Sequence, residues 1–355
     1  MRFSQPPTCN RTESSPLGLS QALITKLLQL TQDKIKSLTA VLLFLILMPG
    51  LSLGALTPDQ SQAKRKGIEL YNQNQWLKLE PYLKISAEAG DTESQYFLAE
   101  TLRHQKLFMT EEAQHWYEEA AAKGHVYAML RLSENKELCT LTEECKQDEK
   151  YWINTARKIT KECADTGQKK CLLMMYNATA EIEWLKKSAE AGDSLAQNLL
   201  AHRFEEGEGW FLLPSQRQHA VMKWAKASSD AGYPPAMLEW ALELAKEGSA
   251  EAAKNALISS AETGYVDAVF EYAAALSSED HSKKYEIELN KAKSYALFSL
   301  LSELGDSSPG DLAQKQTSIL ASSMSSDEIN HAKKIVQDWK SSHPPLSYFA
   351  PEFGF

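Results

Sequence analysis

The side chains that could do chemistry are eight histidines, five cysteines and 47 carboxylates in a chain of 355 residues. Acid–base or nucleophilic catalysis needs such groups gathered where their pKa values are perturbed, and a metal needs ligands at close, fixed spacings. Neither arrangement is written along the chain. His104, His115, His125, His202, His219, His281, His331 and His343 are scattered, and no HExxH, GxSxG or phosphate-loop sequence occurs. Gly207-Glu208-Gly209 lacks a third glycine and a preceding strand, and carboxylates such as Glu118 and Glu119, beside an alanine stripe, are expected on a solvated helix face. The expectation is no enzyme activity, no metal and no cofactor. A hydrolase with an unrecognised site is the outlying alternative; it would show itself as a cluster of buried carboxylate and histidine.

The cysteines depend on compartment. Leu38 to Met48 (LTAVLLFLILM) is an uncharged run after Lys26, Lys34 and Lys36, followed by Pro49-Gly50 and the small-residue end Leu53-Gly54-Ala55. A basic region, an apolar core and a small-residue end form the layout of a secretory signal peptide, with cleavage expected after Ala55. The competing reading is an uncleaved inner-membrane anchor; either one places the remainder in the periplasm. Export removes Cys9 with the leader and leaves Cys139, Cys145, Cys163 and Cys171 in an oxidising compartment. Cys163 and Cys171 stand four residues either side of Gly167, and Cys139 and Cys145 flank the acidic stretch ELCTLTEECKQDE. Two readings stay open for the first pair, a disulfide or two alanine replacements, and all three connectivities of the four cysteines remain possible.

What must position these residues is a repeat. The hexapeptide SAEAGD occurs at 86–91 and again at 188–193, 102 residues apart, three times 34. Turn glycines at Gly90, Gly124, Gly167, Gly192, Gly232, Gly264 and Gly305 follow one another at steps of 34, 43, 25, 40, 32 and 41. Such a period is that of a helix-turn-helix unit. Small residues precede the first six glycines and recur four residues after each, where two antiparallel helices meet, whereas Pro309 stands four residues after Gly305. Eight residues before the glycine stand the aromatics Tyr82, Trp116, Trp184 and Trp224, expected as core wedges, and eight after it Leu98, Leu132 and Leu200.

The framework A-x-x-W-x-x-x-A-A-x-x-G-x-x-x-A, closest in AQHWYEEAAAKGHVYA at 113–128, resembles the Sel1-like repeat family, a branch of the tetratricopeptide-like solenoids. The loop-and-helix segment FEEGEGWFLLPSQRQHAVMKW at 204–224 adds to the likeness, as do KAKSYALFSLLSELGD at 291–306 and LASSMSSDEINHAKKIVQDW at 320–339. The resemblance covers Ser61 to Trp339 and implies an all-α, right-handed α-solenoid of stacked hairpins. The organisation expected is a leader over 1–55, repeats over 56–342 and a proline- and aromatic-rich tail over 343–355.

A solenoid without catalytic motifs works through its surface. The net charge of −9 argues against a phosphate-binding face, so the expected partner is a protein rather than nucleic acid. Two segments are candidate contacts. Trp210, Phe211, Leu212 and Leu213 form an apolar run in a loop, read either as an anchor or, in the preferred reading, as cover for the neighbouring repeat. The tail carries Tyr348, Phe349, Phe353 and Phe355, expected to pack into a groove of its own solenoid or into a partner. Exported members of the family include immunity proteins against phospholipase toxins of type VI secretion systems, and the resemblance makes that the leading specific role. A scaffold for exopolysaccharide export or host interaction is the alternative.

Overall fold

The computed structural model describes residues 55–134, 148–305 and 308–353. The leader up to Gly54, Cys139, Cys145 and Phe355 lie outside the described residues. The chain divides into the units Met1–Ala55 and Leu56–Phe355, and every helix named here belongs to the second.

Seventeen α-helices make up the described residues of this unit, fourteen of them paired across the seven turn glycines. After α1 (Pro58–Asn72) the hairpins are α2 (Trp76–Glu88) with α3 (Thr92–Lys106), α4 (Glu111–Ala122) with α5 (Val126–Glu134), and α6 (Glu149–Ala164) with α7 (Lys169–Thr179). They continue with α8 (Ile182–Glu190) and α9 (Ser194–Glu205), α10 (Pro214–Asp230) and α11 (Pro234–Lys246), and α12 (Ala250–Glu262) and α13 (Val266–Ala275). A short α14 (Glu279–Tyr285) precedes the last pair, α15 (Lys291–Ser302) and α16 (Ser308–Ala321), and α17 (Ser326–Ser342) closes the stack. Consecutive helices pack on one another from α1 to α14, α13 also packs on α15, and α15 packs on both α16 and α17, so the fold is an all-α solenoid.

The hexapeptide SAEAGD shows how local chemistry sets each turn. Gly90 and Gly192 have φ of 91° and 81°, the left-handed region glycine enters without steric cost. Each closes a Schellman motif, with Asp91 N–H donating to Ser86 O at 3.1 Å and Asp193 N–H to Ser188 O at 3.1 Å. The aspartate then caps the next helix, accepting from Ser94 N–H and Ala196 N–H at 2.8 Å each. One hexapeptide thus stops a helix, reverses the chain and starts the next.

The four-before and four-after positions meet as the small-residue spacing requires. Ser86 Oγ donates to Ser94 Oγ at 2.7 Å across the first hairpin. Cys163 and Cys171 occupy the same register in the third and are joined by a disulfide, with Cα atoms 5.7 Å apart. The serine has a second use that its size alone does not reveal. Ser188, Ser228 and Ser260 donate to the carbonyls of Lys169, Ser194 and Pro234, each at the start of the preceding hairpin's second helix, at 2.8, 2.7 and 2.7 Å.

The aromatic slot needs correction. Tyr82 is 40% exposed, and Trp116, Trp184 and Trp224 are half-buried at the flank of the stack. Lysines cap two of these rings, Lys187 4.3 Å from the Trp184 centroid and Lys223 4.6 Å from that of Trp224. The fully buried wedge is one residue later, at Leu83, Tyr117, Thr160, Leu185, Leu257 and Phe298. A step of one residue turns a helical side chain by about 100°, enough to take it from flank to core.

Candidate functional site

The C-terminal tail runs along the solenoid, touching residues from the end of α1 to the sixth turn. It is pinned first at Ser347, whose N–H donates to Gly264 O at 2.9 Å and whose O accepts from Val266 N–H at 3.1 Å, a parallel bridge to the sixth turn. Only glycine fits there, since a Cβ on Gly264 would fall 2.7 Å from the Pro345 carbonyl oxygen. Tyr348 N–H donates to Asn72 O at the end of α1 at 2.8 Å, so two adjacent tail residues tie the sixth hairpin to the first helix. Leu346 and Tyr348 pack on the C-terminal core.

Beyond Tyr348 the tail is held differently. Phe349 adopts φ 50°, its ring 6.2 Å from Tyr265, and its carbonyl accepts from Tyr233 Oη at 3.2 Å. Tyr96 Oη donates to Glu352 O, and the Glu352 carboxylate pairs with Lys170 Nζ at 3.2 Å. Phe353 stacks on Tyr127 with centroids 5.5 Å apart and planes 13° apart, with the Arg131 guanidinium 4.5 Å from its centroid. A cavity of about 480 Å³ runs beside Phe349–Phe353, walled by Asn177, Leu195, Leu199 and Tyr233.

Beneath Phe353 lies the one buried carboxylate cluster among the described residues that includes a histidine within ion-pair range. Glu100, 1% exposed, accepts from Arg131 Nε, Tyr117 Oη and Arg103 NH2 at 2.7 Å each, and His104 Nε2 lies 3.7 Å away. Burial alone would raise the Glu100 pKa, but Arg131 and Arg103 outweigh it and hold the carboxyl below its usual range. His104, stacked on Trp76 at 4.5 Å, is lowered by burial and by Arg103. An ionised carboxylate that accepts three hydrogen bonds is a poor base and has no proton to donate, and its bonds tie α3, α4 and α5 together. Nearby, His125 caps α5 through Nδ1, which accepts from Ala128 N–H at 3.3 Å; its ring lies 4.3 Å from Tyr96, and burial pushes its pKa down to about 4. No group of three or more His, Cys, Asp or Glu side chains among the described residues is placed to hold a metal.

The loop at 206–213 departs from the preferred expectation of cover. Only Phe211 turns inward, edge-on to Phe204 at 5.1 Å and beneath Arg217 at 4.9 Å. Trp210, Leu212 and Leu213 are 84%, 69% and 53% exposed. The loop is nonetheless fixed, because Arg217 donates to the carbonyls of Phe204, Glu208 and Gly209 at 2.8, 2.7 and 3.2 Å. Sequence reasoning missed Arg217; its position four residues past the apolar run was the available signal.

A larger cavity, about 870 Å³, separates α1 and α2 from α15, α17 and Pro344–Leu346, with Tyr82 and Trp339 in its walls. No described helix is long and apolar enough to cross a membrane.

No protein-family model matches this chain, and no curated protein does. Among solved structures it is similar to a protective antigen of uropathogenic Escherichia coli described as displaying an SLR fold, at 16% identity and TM-score 0.43, covering 82% of this chain and 63% of that one. The chain thus spans under two thirds of that antigen's length. It is also similar to an immunity protein of Pseudomonas aeruginosa, at 14% identity and TM-score 0.36 over 80% of this chain and 88% of that one. A third is a Sel1 repeat protein of Oxalobacter formigenes, at 16% identity and TM-score 0.37 over 78% and 86%. These structural neighbours include SLR and Sel1 repeat proteins, the family whose repeat the sequence resembles.

Proposed function

We propose that this chain is an exported, non-catalytic repeat protein that binds one partner protein, with the Trp210–Leu213 loop as its anchor. The observation that carries this reading is an apolar group exposed on a loop that is already fixed. Isolated exposed apolar residues need no explanation, but Trp210, Leu212 and Leu213 exposed together on one short loop mark a contact. Because Arg217 has already ordered the loop, little conformational entropy remains to be lost on docking. The loop is flanked by Glu205, Glu206 and Glu208, which favours a partner with an apolar pocket and a basic rim.

The finer reading, an immunity protein neutralising an antibacterial type VI toxin such as a phospholipase, rests on the sequence resemblance; periplasmic residence rests on the Leu38–Met48 leader. The test is affinity capture from a periplasmic extract on mature Leu56–Phe355, alongside the variant Trp210→Ser/Leu212→Ser. Expected is one stoichiometric partner with a toxin-like hydrolase domain, retained by the parent and lost by a variant of unchanged melting temperature. Several substoichiometric partners indifferent to the loop would overturn the reading.

A further inference from the structure

We propose that the channel holding the distal tail is a binding site for an extended segment of another protein bearing an aromatic–acidic–aromatic pattern, and that the distal tail, Phe349–Phe353, is its exchangeable resident. The tail itself shows which chemistry the channel accepts. A ring meets both Tyr127 and the Arg131 guanidinium, an acid meets Lys170, and a second ring lies against Tyr265.

Four observations separate this half from the fixed half before it. Leu346 and Tyr348 pack on the C-terminal core beside two backbone ties, whereas Phe353 rests at the edge of the N-terminal core over Glu100, which keeps Arg131, Arg103 and Tyr117 whether or not the tail is present, so that the Tyr96 hydroxyl must exchange its tail acceptor for water. Release of Phe353 therefore leaves no orphaned charge. The Lys170–Glu352 pair joins side chains that are 63% and 39% exposed, a contact that water and salt replace at little cost. Phe349 sits in the left-handed region at φ 50°, unfavourable for a residue with a side chain and relieved on release. The cavity of about 480 Å³ alongside gives an incoming segment room before the resident has left. As the chain end, the tail can also open without unfolding a hairpin.

The proposal does not depend on the Trp210 loop, and its test uses neither that loop nor an unidentified partner. A fluorescent peptide with the sequence of residues 346–353 is titrated against the mature full-length protein by anisotropy. The parent binds weakly, because its own tail competes at a high effective concentration. The variant Glu352→Ala/Phe353→Ala, which weakens only the resident, binds at least tenfold tighter. Lys170→Glu added to that variant lowers affinity several-fold, and a peptide with lysine in place of glutamate restores it, a rescue that a purely structural lysine would not produce. Hydrogen exchange on the unmodified protein supplies an independent reading: amides of 350 and 352–353 exchange through local opening, ahead of those of Ser347 and Tyr348. Absence of peptide binding to the folded tail variant, or distal amides that exchange only with global unfolding, would make the tail a fixed structural segment and overturn the proposal.

Discussion

Single side chains in the first two hairpins set how the protein responds to acid. Glu100 has its pKa held below the ordinary range, so its stabilisation is complete above the unfolded value and is lost as pH falls through the folded one. His125, pushed down to about 4, also favours the folded state most at neutral pH. Its contribution, up to about 3 kcal/mol, is lost as pH falls from the ordinary histidine value of about 6.5 towards 4. The melting temperature should therefore drop over that window, and His125→Asn, which keeps a side-chain cap for α5 without a titrating group, should flatten the slope between pH 6.5 and 4. Glu100→Ala should cost about 3–5 kcal/mol in a urea titration, because it leaves the buried Arg131 without its main counter-charge.

Pairs of helices are stabilised by contacts that tolerate little added volume. Gly67 in α1 faces Leu83 in α2, and a Cβ there would come within 2.5 Å of the Leu83 Cδ2 atom. Leu83 is fully buried, so Gly67→Ala should destabilise by about 1–3 kcal/mol despite alanine's better helix propensity. The third hairpin has a covalent tie where the first has a hydroxyl pair. Closing the eight-residue separation between Cys163 and Cys171 is worth roughly 2–3 kcal/mol on the chain-entropy account. Cys163→Ser/Cys171→Ser, which restores the register of Ser86 and Ser94, should lower the melting temperature while leaving the far-ultraviolet circular dichroism unchanged.

At the scale of the molecule, the tail is what joins the two ends of the solenoid. Ser347 bonds the sixth turn and Tyr348 bonds Asn72 in the first helix, while Lys78 Nζ of α2 lies 3.7 Å from where a Cβ on Gly305 would stand. Truncation after Ala350 should therefore cost about 1–2 kcal/mol, since it removes the screened Lys170 pair, the Phe353 packing and stacking and the acceptor of the Tyr96 hydroxyl but leaves Leu346 and Tyr348 in place. Truncation after Ser342, which also strips Leu346 and Tyr348 from the core, should cost about 2–4 kcal/mol. Thermal melts of the two truncations compare them directly; equal losses would mean that the distal half is as firmly fixed as the proximal one.

The sequence by itself determined the hairpins, because a turn is written within a few residues: a glycine for the left-handed reversal, an aspartate for the next cap and small residues four positions either side. The same locality placed Cys163 opposite Cys171. It was less able to rank positions one residue apart, so that Trp116 read as the wedge although Tyr117 is the buried one; a bulky apolar residue satisfies the pattern on the flank or in the core. Only the tertiary structure decided the path of the tail, the partners of Glu100 and the exposure of Trp210. Tyr96 meets Glu352 across 256 residues, and Arg131 reaches Glu100 across 31. Such contacts depend on how every intervening hairpin is stacked, and small angular increments at each interface, set by packing rather than by any local motif, add up to decide which distant hairpins the tail can touch.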